Sequence, residues 1–160
     1  MSLAIEAFVT NVRHFCEWAE SDKHDLETGR QVLLALMQGI PYLIAPESNA
    51  AESEYPERSH EDWKNDHKRF SDFPFQYYGQ IFSPCVFDNE GEVTGDVHDD
   101  FADIYRDLWH GLQALDRNDG AYAVNYWRDS YFQHWGHHAS GAIYAIDEYY
   151  RQVKNESSDA

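Results

Sequence analysis

Hydrophobic positions recur at steps of three and four residues over most of the chain, which predicts a series of amphipathic helices. Residues 3–20 form the first predicted helix, and residues 26–45 form the second, which we expect to bend or end at Pro41. Ser59 and Asp62 have the spacing of a capping box and predict a third, strongly charged helix directly after Ser59.

The last third of the chain has the clearest pattern. Residues 97–116 form an amphipathic helix, and Asp96 stands in front of it as a plausible N-cap. The string DRNDG predicts a turn, and residues 121–153 follow as one long helix that can bend at its two glycines, Gly136 and Gly141.

The rest of the chain has fewer helical signals. Residues 46–56 predict an exposed loop, and residues 74–95 predict an irregular loop or a short hairpin because they combine aromatic residues, prolines and a turn-like DNEG string. We therefore expect an all-α fold, a single-domain antiparallel bundle of about five helices over residues 1–153. A polar tail, residues 154–160, is expected to be disordered.

Composition narrows the possible partners. Twelve Lys and Arg residues against 29 Asp and Glu residues give a net charge of -17, which repels nucleic-acid backbones and anionic membrane surfaces. We therefore expect no nucleic-acid partner and no membrane partner, whereas a cationic protein partner is compatible with this charge. The sequence does not predict an oligomeric state. There is no apolar run near 18 residues and no cysteine motif, so we expect a cytoplasmic protein in which Cys16 and Cys85 are buried thiols.

The string SYFQHWGHHASGA, residues 130–142, contains three histidines within five positions. On a helical wheel the core face has the members Phe132, Trp135, Ala139, Ile143, Ile146 and Tyr150, with Trp127, Tyr131 and Ala145 beside it. His134 and His138 share one flank, and His137 points away from the core towards solvent.

Acidic residues occupy one flank of the preceding helix, namely Asp100, Asp103 and Asp107. In an antiparallel hairpin, neighbouring residue numbers should sum to roughly 236, which places Asp103 level with His134 and Asp100 level with His138. The two polar flanks face each other for one hand of the hairpin and point apart for the other, and we expect the facing arrangement.

Three interpretations of this arrangement remain open. In the first, Asp100 and Asp103 only bind His138 and His134 as hydrogen-bonded pairs that fix the helix register. In the second, His134, His138 and Asp103 hold a metal ion, with Asp100 as fourth ligand or general base. In the third, Trp127, Tyr131 and Tyr105 line a pocket for a small molecule.

Two stretches resemble domain-of-unknown-function family 5063, a bacterial family. Its pattern D-D-x-A-D-I-Y-x-D-L is matched by Asp99, Asp100, Ala102, Asp103, Ile104, Tyr105, Asp107 and Leu108. Its pattern W-x-x-S-F-x-x-H-W-G-x-H-A is matched by Trp127, Ser130, Phe132, His134, Trp135, Gly136, His138 and Ala139. The resemblance is strong over residues 97–146 and implies an α-helical fold without an established activity.

The sequence therefore favours a protein-interaction or regulatory module without a cofactor, and it leaves open whether the protein is an enzyme, with a non-enzymatic role favoured. The alternative is a metal-dependent hydrolase that uses a divalent transition metal such as zinc, with His134, His138, Asp103 and Asp100 as the candidate ligands. The whole candidate cluster is Asp100, Asp103, Asp107, His134, His138, Tyr105, Trp127 and Trp135.

Overall fold

The computed structural model describes residues 2–81, 83–86 and 91–158, without the side chains of Ser53 and residues 154–158. Its helices are α1 Leu3–Ala19, α2 Leu26–Gly39, α3 His60–Arg69, α4 Val97–Leu115, α5 Gly120–Ser130 and α6 Gly136–Ser158. A π-helical turn, Tyr131–Trp135, joins α5 and α6 into one continuous helix. Within the described ranges the bundle thus has five helices and one small sheet, and the predicted all-α fold is confirmed.

The predicted helix boundaries have clear local causes. Ser59 Oγ accepts a hydrogen bond from the Asp62 backbone N–H, and the Asp62 carboxylate accepts one from the Ser59 N–H, so the capping box at the start of α3 is present. Helix α2 ends at Gly39 in a 3-10 turn, Ile40–Tyr42, because Pro41 cannot donate the next helical hydrogen bond.

The segment before α4 folds as a short hairpin, one of the two forms predicted for it. Strand β1, Tyr77–Gln80, pairs antiparallel with strand β2, Val93–Asp96, and Tyr77 lies opposite Asp96. Asp96 also caps α4, since its Oδ1 accepts the backbone N–H groups of His98 and Asp99. Residues 82 and 87–90 of the predicted region lie outside the described residues.

Helix α4 is the centre of the bundle. It packs against α1, α3, α5 and α6, and fourteen of its nineteen residues are buried. This position places the acidic flank of α4 between α3, the hairpin and the last helix. The aspartates that a helical wheel assigns to a polar flank therefore lie in the interior, where each one needs a partner.

Two expectations from the sequence are corrected outside the site. Cys16 is buried, but Cys85 is exposed because it lies in a turn away from the core. Helix α6 reaches Ser158 instead of ending at residue 153, since the polar residues 154–158 contain neither proline nor glycine. No helix in the described ranges is long and apolar enough to cross a membrane.

Candidate metal centre

Two histidines of the last helix face the aspartates of α4. His138 donates its Nδ1 hydrogen to Asp100 Oδ1 at 2.8 Å, and His134 donates its Nδ1 hydrogen to Asp107 Oδ2 at 2.8 Å. A carboxylate can only accept, so the proton of each neutral ring is on Nδ1 and the lone pair of Nε2 is free. Each histidine therefore presents Nε2 as a possible metal ligand.

Asp103 lies in front of both Nε2 atoms. Its Oδ2 is 3.5 Å from His138 Nε2 and 3.8 Å from His134 Nε2. Its other oxygen, Oδ1, accepts a hydrogen bond from Trp63 Nε1 at 3.1 Å and is 3.0 Å from the Arg106 guanidinium. These two donors orient the carboxylate and leave Oδ2 for the histidines.

The distances in this group fall into two classes. The Nδ1–carboxylate distances are those of strong hydrogen bonds, whereas the Nε2–Oδ2 distances are too long for one. Ligands bound to zinc at about 2.1 Å in a tetrahedral site lie about 3.4 Å from each other. One ligand atom from each of Asp103, His134 and His138 lies within 4.8 Å of the other two. The three residues thus have the composition and approximate spacing of a mixed N/O site for a divalent transition metal.

The π-helical turn determines where His134 points. Such a turn contains one extra residue, which rotates the residues before it relative to those after it. Phe132, expected in the core, is 74% exposed, whereas Trp135 and Ala139 are fully buried. The expectation for Phe132 was wrong because a wheel with uniform steps has no place for the extra residue. The same rotation accounts for the contact of His134 with Asp107, one turn beyond Asp103.

The electrostatics of the site favour added positive charge. Burial and the nearby charge of Asp103 raise the pKa of Asp99, and burial raises the pKa of Asp100 despite hydrogen bonds from His138 and Tyr78. Burial by itself lowers the pKa of His138, but the hydrogen bond and charge of Asp100 outweigh it, and the net shift of this pKa is upward. Several carboxylates close together in a partly buried place are stabilised by a proton or a cation.

Two openings give access to the candidate metal centre. A cavity of about 690 Å³ is lined in part by Asp107, Arg106 and His134, and a smaller one of about 350 Å³ is lined in part by Asp103, Trp63 and Arg106. The His134 side chain is 36% exposed. A bound cation could therefore keep a position open to solvent or substrate, as catalytic metal sites do.

The structure brings together five of the residues singled out from the sequence, namely Asp100, Asp103, Asp107, His134 and His138. Asp100 is not among the three residues whose ligand atoms converge, since it contacts His138 through Nδ1 and not through Nε2. Its other oxygen accepts a hydrogen bond from the Tyr78 hydroxyl at 2.7 Å. It orients His138 instead of serving as a ligand.

The aromatic members of the predicted cluster belong to the core. Trp135 Nε1 donates to the Trp127 carbonyl, and Trp127 Nε1 donates to the Leu108 carbonyl. Tyr105 is 2% exposed, and its hydroxyl donates to Glu20. These side chains support the helices and do not line the cavities beside the histidines.

His137 is another correction. The sequence placed it in solvent, but it is half-buried, and its Nε2 lies 3.0 Å from Gln80 Nε2, whose amide N–H is the donor. The difference arises because the β-hairpin covers this face of α6. A helical wheel describes one helix and cannot show what another element covers.

Sequence reasoning missed three residues that position the site, Trp63, Arg106 and Tyr78. Arg106 was detectable, since it lies three residues after Asp103 and such pairs are neighbours on a helix. Trp63 and Tyr78 come from α3 and β1, and their placement depends on tertiary packing. No local pattern in their own segments indicates these contacts.

Comparisons with known proteins identify the family. The chain is similar in fold to the crystal structure of protein BF1032 from Bacteroides fragilis, with a TM-score of 0.73, 16% sequence identity and 92% of each chain covered. No curated protein matches the chain. The model of the family described as "Domain of unknown function (DUF5063)" matches residues 1–152, and the chain therefore belongs to this family.

Proposed function

We propose that the protein is a metal-dependent hydrolase whose cation is held by Asp103, His134 and His138. The observation that supports this proposal most is the orientation of the two rings. Each Nδ1 is held by a carboxylate, while each Nε2 points to the same oxygen of Asp103. Histidine ligands of metals almost always donate their other ring N–H in this way, which fixes the tautomer and the ring orientation.

A purely structural role explains only part of the arrangement. It accounts for the two Nδ1 hydrogen bonds, which hold α4 to the last helix. It leaves the two Nε2 atoms and the Asp103 oxygen as loose contacts, longer than a hydrogen bond, which become ion pairs only when the rings are protonated. A shared cation accounts for both sets of distances.

The chemistry of the site divides between a cation and the protein. A divalent cation held there would polarise a substrate carbonyl and make a nearby water molecule more acidic. Asp99 is a suitable proton acceptor, because it lies one helical turn before Asp103 on α4, and because burial and the charge of Asp103 raise its pKa. Asp100 and Tyr78 hold His138 in position.

The lining of the larger cavity indicates the class of substrate. Its charged residues other than the histidines are Glu52, Glu57, Asp107 and Asp129 against Arg58 and Arg106. Arg58 already binds Asp66 with two hydrogen bonds, and Arg106 lies beside Asp103 and Asp107. A polyanionic substrate would meet a net negative surface, so the cavity favours a neutral or cationic ester or amide.

A panel of neutral and cationic esters and amides, with phosphate monoesters for comparison, tests the proposal. Untagged protein is stripped with chelator and reloaded with zinc, manganese or iron. We expect hydrolysis of ester or amide only by metal-loaded protein, and a loss of at least tenfold in Asp99→Asn at unchanged metal content. Equal rates with and without metal across the panel would refute the proposed activity.

A second candidate function is supported by a separate surface. Ile81 and Tyr144 are 49% and 58% exposed, and they line an opening of about 610 Å³ between the hairpin and α6. An exposed apolar patch of this kind is compatible with a protein-interaction or regulatory module. The two functions can be separated by complementation in a host that depends on the protein. For a protein-interaction role, Tyr144→Glu should abolish complementation and His134→Gln should preserve it. For a metal-dependent hydrolase, His134→Gln should abolish complementation and Tyr144→Glu should preserve it.

A further inference from the structure

A second group of possible metal ligands lies at the start of α4. It consists of His67 from α3, Asp96 at the end of β2 and His98 in the first turn of α4. One ligand atom from each residue lies within 4.8 Å of the other two. His98 is 6% exposed, whereas His67 and Asp96 are half-buried. The group therefore joins three different elements at a place where solvent has limited access.

The His98 ring has a buried nitrogen that needs a partner. Its Nε2 is buried and has no hydrogen-bond partner among the described residues. Leaving a buried polar atom unpaired costs about 1–3 kcal/mol, so native proteins rarely do so. A ring nitrogen has a lone pair that a metal ion satisfies as well as a hydrogen does, and histidine is the commonest metal ligand.

The pair formed by His67 and Asp96 is also unusually long. His67 Nε2 and Asp96 Oδ2 form a long hydrogen bond of 3.4 Å, compared with 2.8 Å for the corresponding bonds of His134 and His138. This separation matches the spacing of about 3.4 Å between neighbouring ligands of a tetrahedral zinc ion. The two nitrogens and the oxygen are thus compatible with a shared cation.

Asp96 is held in a fixed orientation. Its Oδ1 caps α4 by accepting the N–H groups of His98 and Asp99, and its Oδ2 accepts a hydrogen bond from Gln76 Nε2 at 2.9 Å. A carboxylate fixed through both oxygens loses little additional freedom when it binds a cation. Ordered supporting groups of this kind are typical of metal sites.

We propose that His67, Asp96 and His98 form a second binding site for a divalent transition metal, which joins α3 to the hairpin and to the start of α4. The site is separate from the candidate metal centre, because Asp96 and Asp103 are seven residues apart, or about 10 Å along the helix axis. Trp63 connects the two places. Its ring contacts the His67 ring at 5.4 Å, and its Nε1 donates to Asp103.

This connection gives the second site a role. A cation bound by His67 fixes the face of α3 that packs on α4, and with it the Trp63 ring, which orients the Asp103 carboxylate. The existence of the second site does not depend on the proposed hydrolase activity, since its three ligands are distinct from those of the candidate metal centre.

Zinc stoichiometry tests the inference. Native mass spectrometry and calorimetric titration would be applied to untagged, chelator-stripped wild type, His67→Gln, His134→Gln and the double variant. His14→Gln is the matched control, because His14 is exposed on α1 and belongs to neither group. We expect two zinc ions for wild type and the control, one for each single variant and none for the double variant.

The single variants separate the two proposals. If His67→Gln binds as much zinc as wild type, the second site is refuted, whatever happens in His134→Gln. If only His67→Gln loses zinc, the second site stands and the candidate metal centre fails. His67 is the residue to change because its side chain is 26% exposed, so its replacement should not unfold the protein. Circular dichroism of each variant checks this requirement.

Discussion

At the scale of single residues, His110 shows what a histidine with a purely structural role looks like in this protein. It is buried on α4, its Nδ1 donates to the Pro56 carbonyl at 3.1 Å, and its Nε2 accepts from the Tyr122 hydroxyl at 3.0 Å. Both ring nitrogens are satisfied by protein groups. His134 and His138 differ because, in the part of the chain that the structure describes, only Nδ1 of each ring has a hydrogen-bond partner, while Nε2 faces Asp103.

Asp107→Asn should weaken metal binding without removing a ligand. The asparagine side chain can still contact the His134 ring, but it loses the charge that fixes the Nδ1 proton and strengthens Nε2 as a ligand. We expect zinc affinity at the candidate metal centre to fall about 10–100-fold, as is usual for such partners. Competition with a chromophoric chelator measures the change.

Asp129→Asn is the control for that variant. Asp129 lines the same cavity, is exposed, and has a hydrogen bond with Arg128. The substitution removes one negative charge from the same cavity, as Asp107→Asn does. It should leave zinc affinity within about twofold of wild type, because electrostatic interactions between distant charges in water are weak. Equal losses in both variants would show that cavity charge, and not the orientation of His134, controls binding.

The residues of the site could be predicted to different extents. The spacing of His134 and His138 and the acidic flank of α4 both follow from local periodicity, so a hairpin argument could bring them face to face. The hydrogen bonds from Trp63 to Asp103 and from Tyr78 to Asp100 could not be predicted, since they join residues that are 40 and 22 positions apart in the chain. Their geometry depends on how α3 and the hairpin pack.

At the scale of elements, the π-helical turn is the feature that distinguishes the last helix. Gly136 follows it directly, and a Cβ atom at this position would overlap the Tyr131 carbonyl oxygen and ring. The glycine thus allows the turn to close against Tyr131. The π-helical turn also determines the direction of the His134 side chain, so the local backbone conformation affects the candidate metal centre.

Gly136→Ala should disturb both the stability and the site. We expect the overlap to lower the free energy of unfolding by about 1–3 kcal/mol and to weaken zinc binding through a displaced His134. Chemical denaturation and zinc titration measure the two effects. Gly120→Ala is the control, because the nearest atom to its Cβ would be Leu115 Cδ1 at 3.7 Å, an ordinary contact. Loss of stability in the control but not in Gly136→Ala would contradict this explanation.

Asp119 is the N-cap of the helix that bears the histidines, and its contribution to the free energy of unfolding should depend on pH. The backbone N–H of Tyr122 and the hydroxyl of Tyr55 hold the pKa of Asp119 below its usual value. Its contribution is therefore complete above the unfolded pKa of about 3.9 and disappears as the pH falls through the lower folded pKa. We expect Asp119→Ala to cost about 1 kcal/mol at pH 7.

Denaturation curves of Asp119→Ala and wild type across the acid range test whether the pKa of Asp119 is lowered in the folded protein. The difference in the free energy of unfolding should shrink as the pH falls below about 4. Asp119→Asn retains a capping oxygen and should lose less at pH 7 than the alanine variant. A difference that grows with acidity would contradict the lowered pKa.

The elements themselves were largely predictable. The helix boundaries at Ser59, Pro41 and Asp96 depend on neighbouring residues in the chain, and the structure has them where the capping and proline rules indicate. The π-helical turn was not predictable in this way, because a wheel assumes a constant rotation per residue. Its consequence was the wrong placement of Phe132.

At the scale of the whole molecule, the net charge of -17 and the central position of α4 act together. Acidic residues that lie on a solvated flank in most helices are here enclosed by α3, the hairpin and the last helix. Their mutual repulsion opposes folding, and bound cations would relieve it. A metal ion would therefore stabilise the fold as well as provide chemistry.

Thermal unfolding should reveal this linkage. Zinc at one hundred times its dissociation constant would add about 2.7 kcal/mol per site, and a chain of this size gains about 2–4 °C in Tm per kcal/mol. We expect wild type to unfold at a clearly higher temperature with zinc, and magnesium at the same concentration to have little effect because imidazole ligands suit zinc better. An equal response to both ions would indicate nonspecific screening.

The most direct test of the central claim isolates one site. His67→Gln removes one of the three ligands of the second group, so specific binding that remains in this variant and depends on His134 is assigned to Asp103, His134 and His138. We predict that chelator-stripped His67→Gln binds one equivalent of cobalt with visible absorption typical of a low-coordinate ion, and that adding His134→Gln abolishes the signal. Absence of cobalt binding by His67→Gln, or an unchanged spectrum after His134→Gln, would contradict the assignment of these residues as metal ligands.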